Sequence, residues 1–380
     1  MTAHANDQAF VARAVVLGEL GRATCRPNPA VGCVVTGADG AIVGEGYHAR
    51  AGGPHAEVVA LHAAGARARG GTAYVSLEPC AHHGRTPPCT DALLAAGVAR
   101  VVFALSDPSD EARGGAEVLR AAGVEVVADV LPEWASTQNE VWLTAQAVGR
   151  PFVTLKLAQT LDGLLSVRGR RWLTGEVSRT AVHRQRGWHD VVLVGVGTVL
   201  ADDPSLDVRH VEPVAAQPRP VVLDTHLRTP PTARVVERGA LLLAGASPPA
   251  DARAALEAAG AEVLEVATGA DGRLDVEAAL ASLHARGVRA VYAEGGAGVA
   301  ASLVAAGAVD RLHIHLARGV YGPSALPRLA PCLDVPASSG WAWRTERTGE
   351  LGDDLEIVAV PDPSPVARAR AATAAAPHPA

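Results

Sequence analysis

His55-Ala56-Glu57 is followed by Glu78-Pro79-Cys80 and, nine residues after Cys80, by Cys89. One imidazole and two thiolates suit Zn²⁺ and leave the fourth tetrahedral position to water. A metal held in this way lowers the pKa of its water from about 15.7 to roughly 7, which makes hydrolysis feasible at neutral pH. A carboxylate at Glu57 is then placed to carry a proton from water to a leaving group, as general base and acid.

A single His or Cys is ordinarily structural, and Cys25, Cys33 and Cys332 are read that way because they have no such company. The ordered set is different. His-x-Glu, then Pro-Cys and a second Cys, is the arrangement of zinc nucleobase deaminases, in which the Glu is not a ligand. Between the two cysteines stands an insertion, His82-His83-Gly84-Arg85-Thr86-Pro87-Pro88, whose histidines are expected to shape the pocket or meet substrate. Residues i and i+2 of a regular helix point about 200° apart. His55 and Glu57 therefore converge only if His55 sits at an irregular helix start, which Gly52-Gly53-Pro54 supplies. Cys80 is expected to open a further helix, where the positive end favours thiolate.

The elements that must hold these groups follow from periodicity and punctuation. Helical spacing over 7–20 is stopped by Gly21, and strands at 31–36 and 41–47 flank Ala38-Asp39-Gly40 as a hairpin. Helices at 55–66, 87–96 and 116–122 alternate with strands at 72–77, 100–106 and 124–128. This predicts a layered α/β domain over 1–149, closed by Gly149-Arg150-Pro151. A second α/β pattern fills 150–361. Its strands are at 151–159, 190–196, 220–224, 240–244, 261–266, 289–294 and 311–317, its helices at 178–186, 252–259, 276–286 and from 298 to 306. The Pro/Ala-rich segment 362–380 reads as a disordered tail. Gly195-Val196-Gly197-Thr198 and Glu294-Gly295-Gly296-Ala297-Gly298 are strand-to-helix turns of the kind whose N–H groups cradle phosphates, though neither is a full G-x-G-x-x-G. Without further support a structural tight turn serves equally well.

Composition bounds the rest. A chain of 380 residues with 48% apolar and 19% charged residues has ample material for two or three cores. A formal charge of −6 argues against bulk binding to nucleic acid. No apolar run of 18 residues and no basic, then apolar, leader is readable, so neither a membrane span nor a signal peptide is expected. Five cysteines, an odd and scattered set, point to a reduced, cytoplasmic compartment. Lys156 is the lone lysine, on a strand whose pattern reads as buried, and is marked as functional for that reason.

Residues 72–77 and 78–89, with His55-Ala56-Glu57 before them, resemble the bifunctional deaminase–reductases of riboflavin biosynthesis. The long insertion between the cysteines separates that family from cytidine and tRNA-adenosine deaminases. Pro27-Asn28-Pro29-Ala30-Val31-Gly32 is similar to the family's N-terminal substrate loop. In the second half, residues 155–163, Trp172-Leu173-Thr174-Gly175, residues 197–206 and Glu294-Gly295-Gly296 recur in the family's order. The resemblance extends over about residues 7–360. It implies an α/β chain with a cytidine-deaminase-like layered domain followed by a dihydrofolate-reductase-like domain. The implied reactions are hydrolysis of the 2-amino group of 2,5-diamino-6-ribosylamino-4(3H)-pyrimidinone 5′-phosphate and then NADPH reduction of the ribosyl chain to ribityl. The alternative is a zinc deaminase for another nucleobase or nucleotide, with a second domain that binds a nucleotide without reducing anything.

Carried over by position, the resemblance implies zinc on His55, Cys80 and Cys89, with Glu57 catalytic and Asn28 and His82 at the substrate. NADPH would meet Ala158, Trp172, Thr198, Asp202, Thr225 and the run Gly296, Ala297, Gly298, Val299, Ala300, Ala301, Ser302. The second substrate would meet Lys156, Arg186, Leu206, Arg209 and Glu294. One departure stands out: the loop after Leu161-Asp162-Gly163 is short, and Arg170 occupies the position of a substrate-binding serine. Arg170, with Arg171 beside it, is expected to replace that contact with a bidentate grip on the 5′-phosphate. The implied partner is thus a small phosphorylated pyrimidine, with no nucleic acid and no membrane; a homo-oligomer stays open.

Overall fold

The computed structural model describes residues 3–82, 87–109, 114–212, 214, 216–322 and 342–362. Cys332 and the tail beyond Asp362 lie outside the described residues. The chain divides into two compact units, Met1–Ala147 and Val148–Ala380.

The first unit is built on a five-stranded sheet ordered β2-β1-β3-β4-β5. β1 (Gly32–Thr36) pairs antiparallel with β2 (Ile42–Tyr47) and β3 (Thr72–Val75). β3, β4 (Arg100–Phe103) and β5 (Glu125–Val127) run parallel. β1 is buried along its whole length, as a central strand covered on both faces must be. α1 (Ala3–Glu19), α2 (Ala56–Ala64), α3 (Cys89–Ala96) and α4 (Gly115–Ala121) surround the sheet. The close fit of α2 depends on β2. A Cβ on Gly44 would stand 2.2 Å from the Ala60 carbonyl oxygen, and one on Gly46 would stand 2.6 Å from the Ala60 nitrogen. Those two glycines let the helix carrying Glu57 lie directly on the strand. Ala56 and Ala60, both fully buried, join Val35, Val75, Leu93 and Phe103 in the core beneath.

The second unit is one nine-stranded sheet, ordered β10-β9-β8-β7-β11-β6-β12-β14-β13. The seven strands from β10 (Glu262–Glu265) to β12 (Arg311–Ala317) are parallel. β14 (Asp354–Pro361) and β13 (Trp343–Leu351) return antiparallel at one edge. Parallel strands are buried on both faces and read as unbroken apolar runs. β7 (Val191–Gly195), β8 (Arg219–Leu223), β9 (Leu241–Ala244) and β11 (Ala290–Ala293) do so. β6 (Phe152–Thr160) splits its faces. Val153, Leu155 and Leu157 enter the core, while Lys156 and Ala158 share the other face with His313 and His315 of β12. The remaining helices are α7 (Glu176–Gly187), α8 (Val196–Asp202), α9 (Arg234–Glu237), α10 (Ala250–Ala258), α11 (Val276–Ala285) and α12 (Ala297–Ala305).

Three differences from the sequence expectation matter. Cys80 does not open a helix; Pro87-Pro88 precede the helix that begins at Cys89, and Cys80 lies in irregular chain before it. Two helices, α5 (Pro132–Gln138) and α6 (Glu140–Val148), fill a stretch for which no element was expected. The β13–β14 hairpin was likewise not anticipated: β13 is mostly exposed and lacks a buried alternation of its own.

Candidate metal centre and nucleotide cavity

His55 occupies the N-cap of α2 with extended backbone (φ −71°, ψ 160°), so it leaves the helical path and turns toward the same space as Glu57. Its Nδ1 lies 3.1 Å from the Cys89 sulfur and 3.6 Å from the Cys80 sulfur. The three ligand atoms all lie within 4.8 Å of one another. Cys89 is the first residue of α3, and its backbone N–H donates to the Cys80 sulfur at 3.4 Å. The positive helix end therefore still faces Cys80, from the other side of the insertion. Hydrogen bonding to Cys89, opposed by burial and aided by His55, holds the Cys80 thiol down to about 4. The Cys80 contact also raises His55 above the usual imidazole range. A soft set of two sulfurs and one nitrogen, closely grouped and already polarised toward thiolate, fits Zn²⁺.

Glu57 is 3% exposed, and burial pushes its carboxyl above the usual carboxylate range. It faces a cavity of about 460 Å³ that also meets His55, Cys80, Asn28, His48 and His82. His48 Nδ1 lies 3.0 Å from the Pro54 carbonyl, so it carries the proton and donates. Its Nε2 then accepts from Asn28 Nδ2 at 3.1 Å, which leaves the Asn28 carbonyl oxygen as a free acceptor. At the rear of the site, Glu78 accepts the N–H groups of Asp107 (3.1 Å) and Ala116 (3.0 Å), tying the Cys80 loop to the start of α4.

The second unit has its own cavity, of about 660 Å³, at the ends of β6, β7 and β11. Arg186 and Glu294 form a two-pronged pair inside it, with Nη2 2.9 Å from Oε2. Burial raises the Glu294 carboxyl, but Arg186, helped by Lys156, outweighs this and holds it below its ordinary range. Burial lowers Lys156, and Glu294 only partly offsets that. Gly295 must be glycine, since a Cβ there would stand 2.4 Å from Val299. At Gly197, Gly296 and Gly298 the space a Cβ would take is open. Bare backbone beside open space at the start of α12 fits a pyrophosphate of a dinucleotide cofactor.

Comparison with known proteins decides what the two cavities belong to. Residues 151–355 match the RibD C-terminal domain, and residues 4–105 match the cytidine and deoxycytidylate deaminase zinc-binding region. The riboflavin biosynthesis protein RibD of Escherichia coli is 38% identical over 87% of this chain and 94% of its own length. That of Haemophilus influenzae is 36% identical over 93% of this chain and 97% of its own. The chain belongs to the RibD family. Among solved structures, Acinetobacter baumannii RibD superposes with a TM-score of 0.84 at 32% identity, covering 95% of this chain and all of that one. The diaminohydroxyphosphoribosylaminopyrimidine deaminase/5-amino-6-(5-phosphoribosylamino)uracil reductase of Thermotoga maritima gives 0.79 at 32% identity, over 95% of this chain and all of that one. The protein is thus a bifunctional riboflavin-biosynthesis enzyme, with a zinc-binding deaminase domain and an NADPH-dependent reductase domain. Its fold is that of cytidine deaminases followed by a dihydrofolate-reductase-like domain.

Within this RibD chain the residues singled out from sequence are distributed unevenly. His55, Glu57, Cys80, Asn28 and His82 line the first cavity, and Cys89 lies behind them, fully buried. Lys156, Ala158, Trp172, Arg186, Thr198, Asp202, Arg209, Glu294 and Gly296 line the second. Leu206 is 2% exposed in an apolar cluster with Val194 and Val222, so its side chain packs in the core away from that cavity. Thr225 follows β8 and accepts the Gly245 N–H through its carbonyl, off the cavity wall. Beyond Gly296, Ala300 and Ala301 are buried within α12, and the Ser302 hydroxyl is turned onto the Gly298 carbonyl. Ala297, Gly298 and Val299 form the first turn of that helix.

Arg170 lies off the wall as well. Its guanidinium donates to the Tyr321 hydroxyl and stands 5.5 Å from that ring, because the tight turn through Gly169 (φ 79°) directs it outward. Arg171 takes the inward position, stacked 5.3 Å over Trp172, and Arg179 stands 5.2 Å from the same ring. Sequence reasoning missed Arg179 in the second cavity and His48, Asp107, Trp142 and Gln146 in the first. None of these sits in a motif. Only an apolar-plus-polar pair one helical turn apart, Trp142 and Gln146, could have drawn notice.

Proposed function

We propose that deamination is carried by Glu57 beside a zinc ion on His55, Cys80 and Cys89, and that reduction takes place in the cavity around Lys156, Arg186 and Glu294. When bound, zinc supplies the Lewis acidity that makes water a nucleophile at neutral pH, and NADPH supplies the reducing equivalents. The remaining work falls to the chain. Glu57, whose burial raises its affinity for a proton, takes one from the attacking water and returns it to the departing amine. Asn28 offers its carbonyl oxygen to a substrate N–H, and His48, held neutral by burial, fixes the amide in that sense. His82, exposed at the cavity edge, meets the substrate's outer portion.

In the reductase cavity, Arg186 and Glu294 orient each other and present fixed polar groups to the pyrimidine, with Lys156 and Arg209 as further donors. Leu206 contributes through its backbone, since its side chain is committed to the core. Ala158, Trp172, Thr198, Asp202 and Gly296 line the cofactor's path; the first turn of α12 at 297–299 and, beyond the cavity wall, 300–302 and Thr225 are its further proposed contacts. The phosphate contact assigned to the missing serine passes to Arg171, with Arg170 holding the loop against Tyr321. The protein acts in the cytoplasm on a small phosphorylated pyrimidine and not on nucleic acid or membrane; among the described residues no helix is long and apolar enough to cross a membrane. It acts alone or as a homo-oligomer.

The observation that carries this reading is the convergence of His55, Cys80 and Cys89 within 4.8 Å at the edge of the cavity that Glu57 faces. Product analysis of the purified enzyme tests it. The diaminopyrimidine phosphate should yield the ribosylamino-uracil without NADPH and the ribityl product with it. Release of no ammonia without NADPH would sink the assignment.

A further inference from the structure

α6 lies outside both matched segments, between residue 105 and residue 151, yet it forms part of the deaminase cavity. Residues i and i+4 of a helix share one face. Trp142 and Gln146 stand in that relation and both line the cavity, Trp142 as the one indole or phenyl ring among its described lining residues. Trp142 is 8% exposed, and its indole N–H donates to no described residue. The indole nitrogen is not itself enclosed by protein, so the N–H opens onto the cavity and is available to a ligand. Here a flat apolar ring with an unused donor faces the space where a flat, carbonyl-bearing pyrimidine must sit.

The helix is also anchored to the substrate loop. Asn139, 3% exposed and immediately before α6, accepts the Ala30 N–H at 2.7 Å and donates to the Ala30 carbonyl at 3.0 Å. Ala30 stands two residues from Asn28. One side chain therefore satisfies both backbone groups of the loop and fixes the distance between Asn28 and Trp142.

We infer that α6 is the specificity element of deamination: Trp142 packs its ring against the substrate's pyrimidinone and gives its N–H to a substrate oxygen, while Gln146 hydrogen-bonds a polar substituent one turn away. This rests on the deaminase reading above. The test uses the full chain, with deamination of the diaminopyrimidine phosphate measured without NADPH. Zinc content and NADPH-dependent reduction of the pre-deaminated uracil are measured on the same preparations. Trp142→Phe keeps a ring and loses the donor, so KM for deamination should rise about 3- to 10-fold with kcat within about twofold. Gln146→Ala, at an exposed position, should raise KM about 2- to 5-fold. Zinc and reduction should be unchanged in both. An unmoved KM in Trp142→Phe with zinc retained, or a fall in kcat alone, overturns the inference. Should Trp142→Phe lose zinc, Gln146→Ala decides it, an unmoved KM again overturning it. A wild-type chain that fails to deaminate this substrate would instead defeat the underlying reading, a result distinguishable from unmoved variants of an active enzyme.

Discussion

The deaminase and reductase cavities differ less in size than in how their charge is stored. The first holds a few reactive groups whose proton affinities burial and short contacts have moved: a buried carboxyl raised above its usual range, a thiol lowered toward thiolate, and a buried His48 lowered below its own. The second lines its walls with full charges, including Arg171, Arg179, Arg186 and Arg209. Two of these are neutralised internally, Arg186 by Glu294 and Arg209 by Asp207. Bond cleavage at one carbon needs a few atoms at short range with tuned proton affinity, whereas hydride transfer between two anionic ligands needs many contacts that orient. The loss of one residue should therefore abolish chemistry in the first cavity and only degrade it in the second.

The largest effect expected is at the metal. Cys89→Ser should remove zinc, measured as metal per chain, and with it all detectable deamination, while reduction of pre-deaminated substrate stays intact. Retained zinc would break the contrast at its root. Glu57→Gln should keep zinc but lose about 10²–10⁴-fold in kcat, toward the upper end because one carboxylate serves two proton transfers. A loss below tenfold would remove Glu57 from its role.

On the reductase side the expected losses are graded. Arg171→Ala should raise KM for the phosphorylated uracil by about 10-fold, the weight of one charge-assisted contact of roughly 1.5 kcal/mol. Arg170→Ala, which releases only the Tyr321 contact, should shift it less; the reverse ranking would return the phosphate to Arg170. The smallest effect concerns pH. Burial lowers Lys156, so its charge is complete below the lowered pKa and lost above it, at a pH where an exposed lysine would still be charged. KM for the anionic substrate should rise on the alkaline side earlier than a free lysine allows. Lys156→Arg should push that rise to higher pH, because a guanidinium stays protonated. An identical alkaline limb in both enzymes would show that Lys156 is not the group responsible.

The same contrast explains what the sequence made legible. The zinc set could be read because its residues lie in short motifs whose order and chemistry are diagnostic, and because Gly52-Gly53-Pro54 announces the irregular helix start that His55 requires. The parallel strands of the second unit were visible as apolar runs. Arg170 and Arg171 could not be told apart, since one residue of turn geometry at Gly169 decides which guanidinium faces inward. Leu206 and Thr225 illustrate a related limit, in that position along a motif does not say whether side chain or backbone meets the cavity. Trp142 escaped because α6 reads as an ordinary amphipathic stretch, and only the fold brings it to the metal site. β13 escaped because its partner β14, not its own pattern, makes it a strand.

That last strand has a consequence for how the molecule behaves in a crowd of its own copies. Among the described residues β13 is one edge of the nine-stranded sheet, and β10 is the other. An open edge is a template on which any extended chain can polymerise. β13 carries Arg344, Glu346, Arg347 and Glu350 along nine residues, and β10 begins and ends with Glu. Arg347 is pinned to Glu356 at 2.8 Å and Glu346 to Arg311 at 3.1 Å, so these charges stand fixed on the rim. An approaching strand would have to strip water from them before its first backbone bond could form. Exchanging Arg344 and Glu346 for valine would leave both cavities untouched yet turn the rim into a seed for fibrous aggregation.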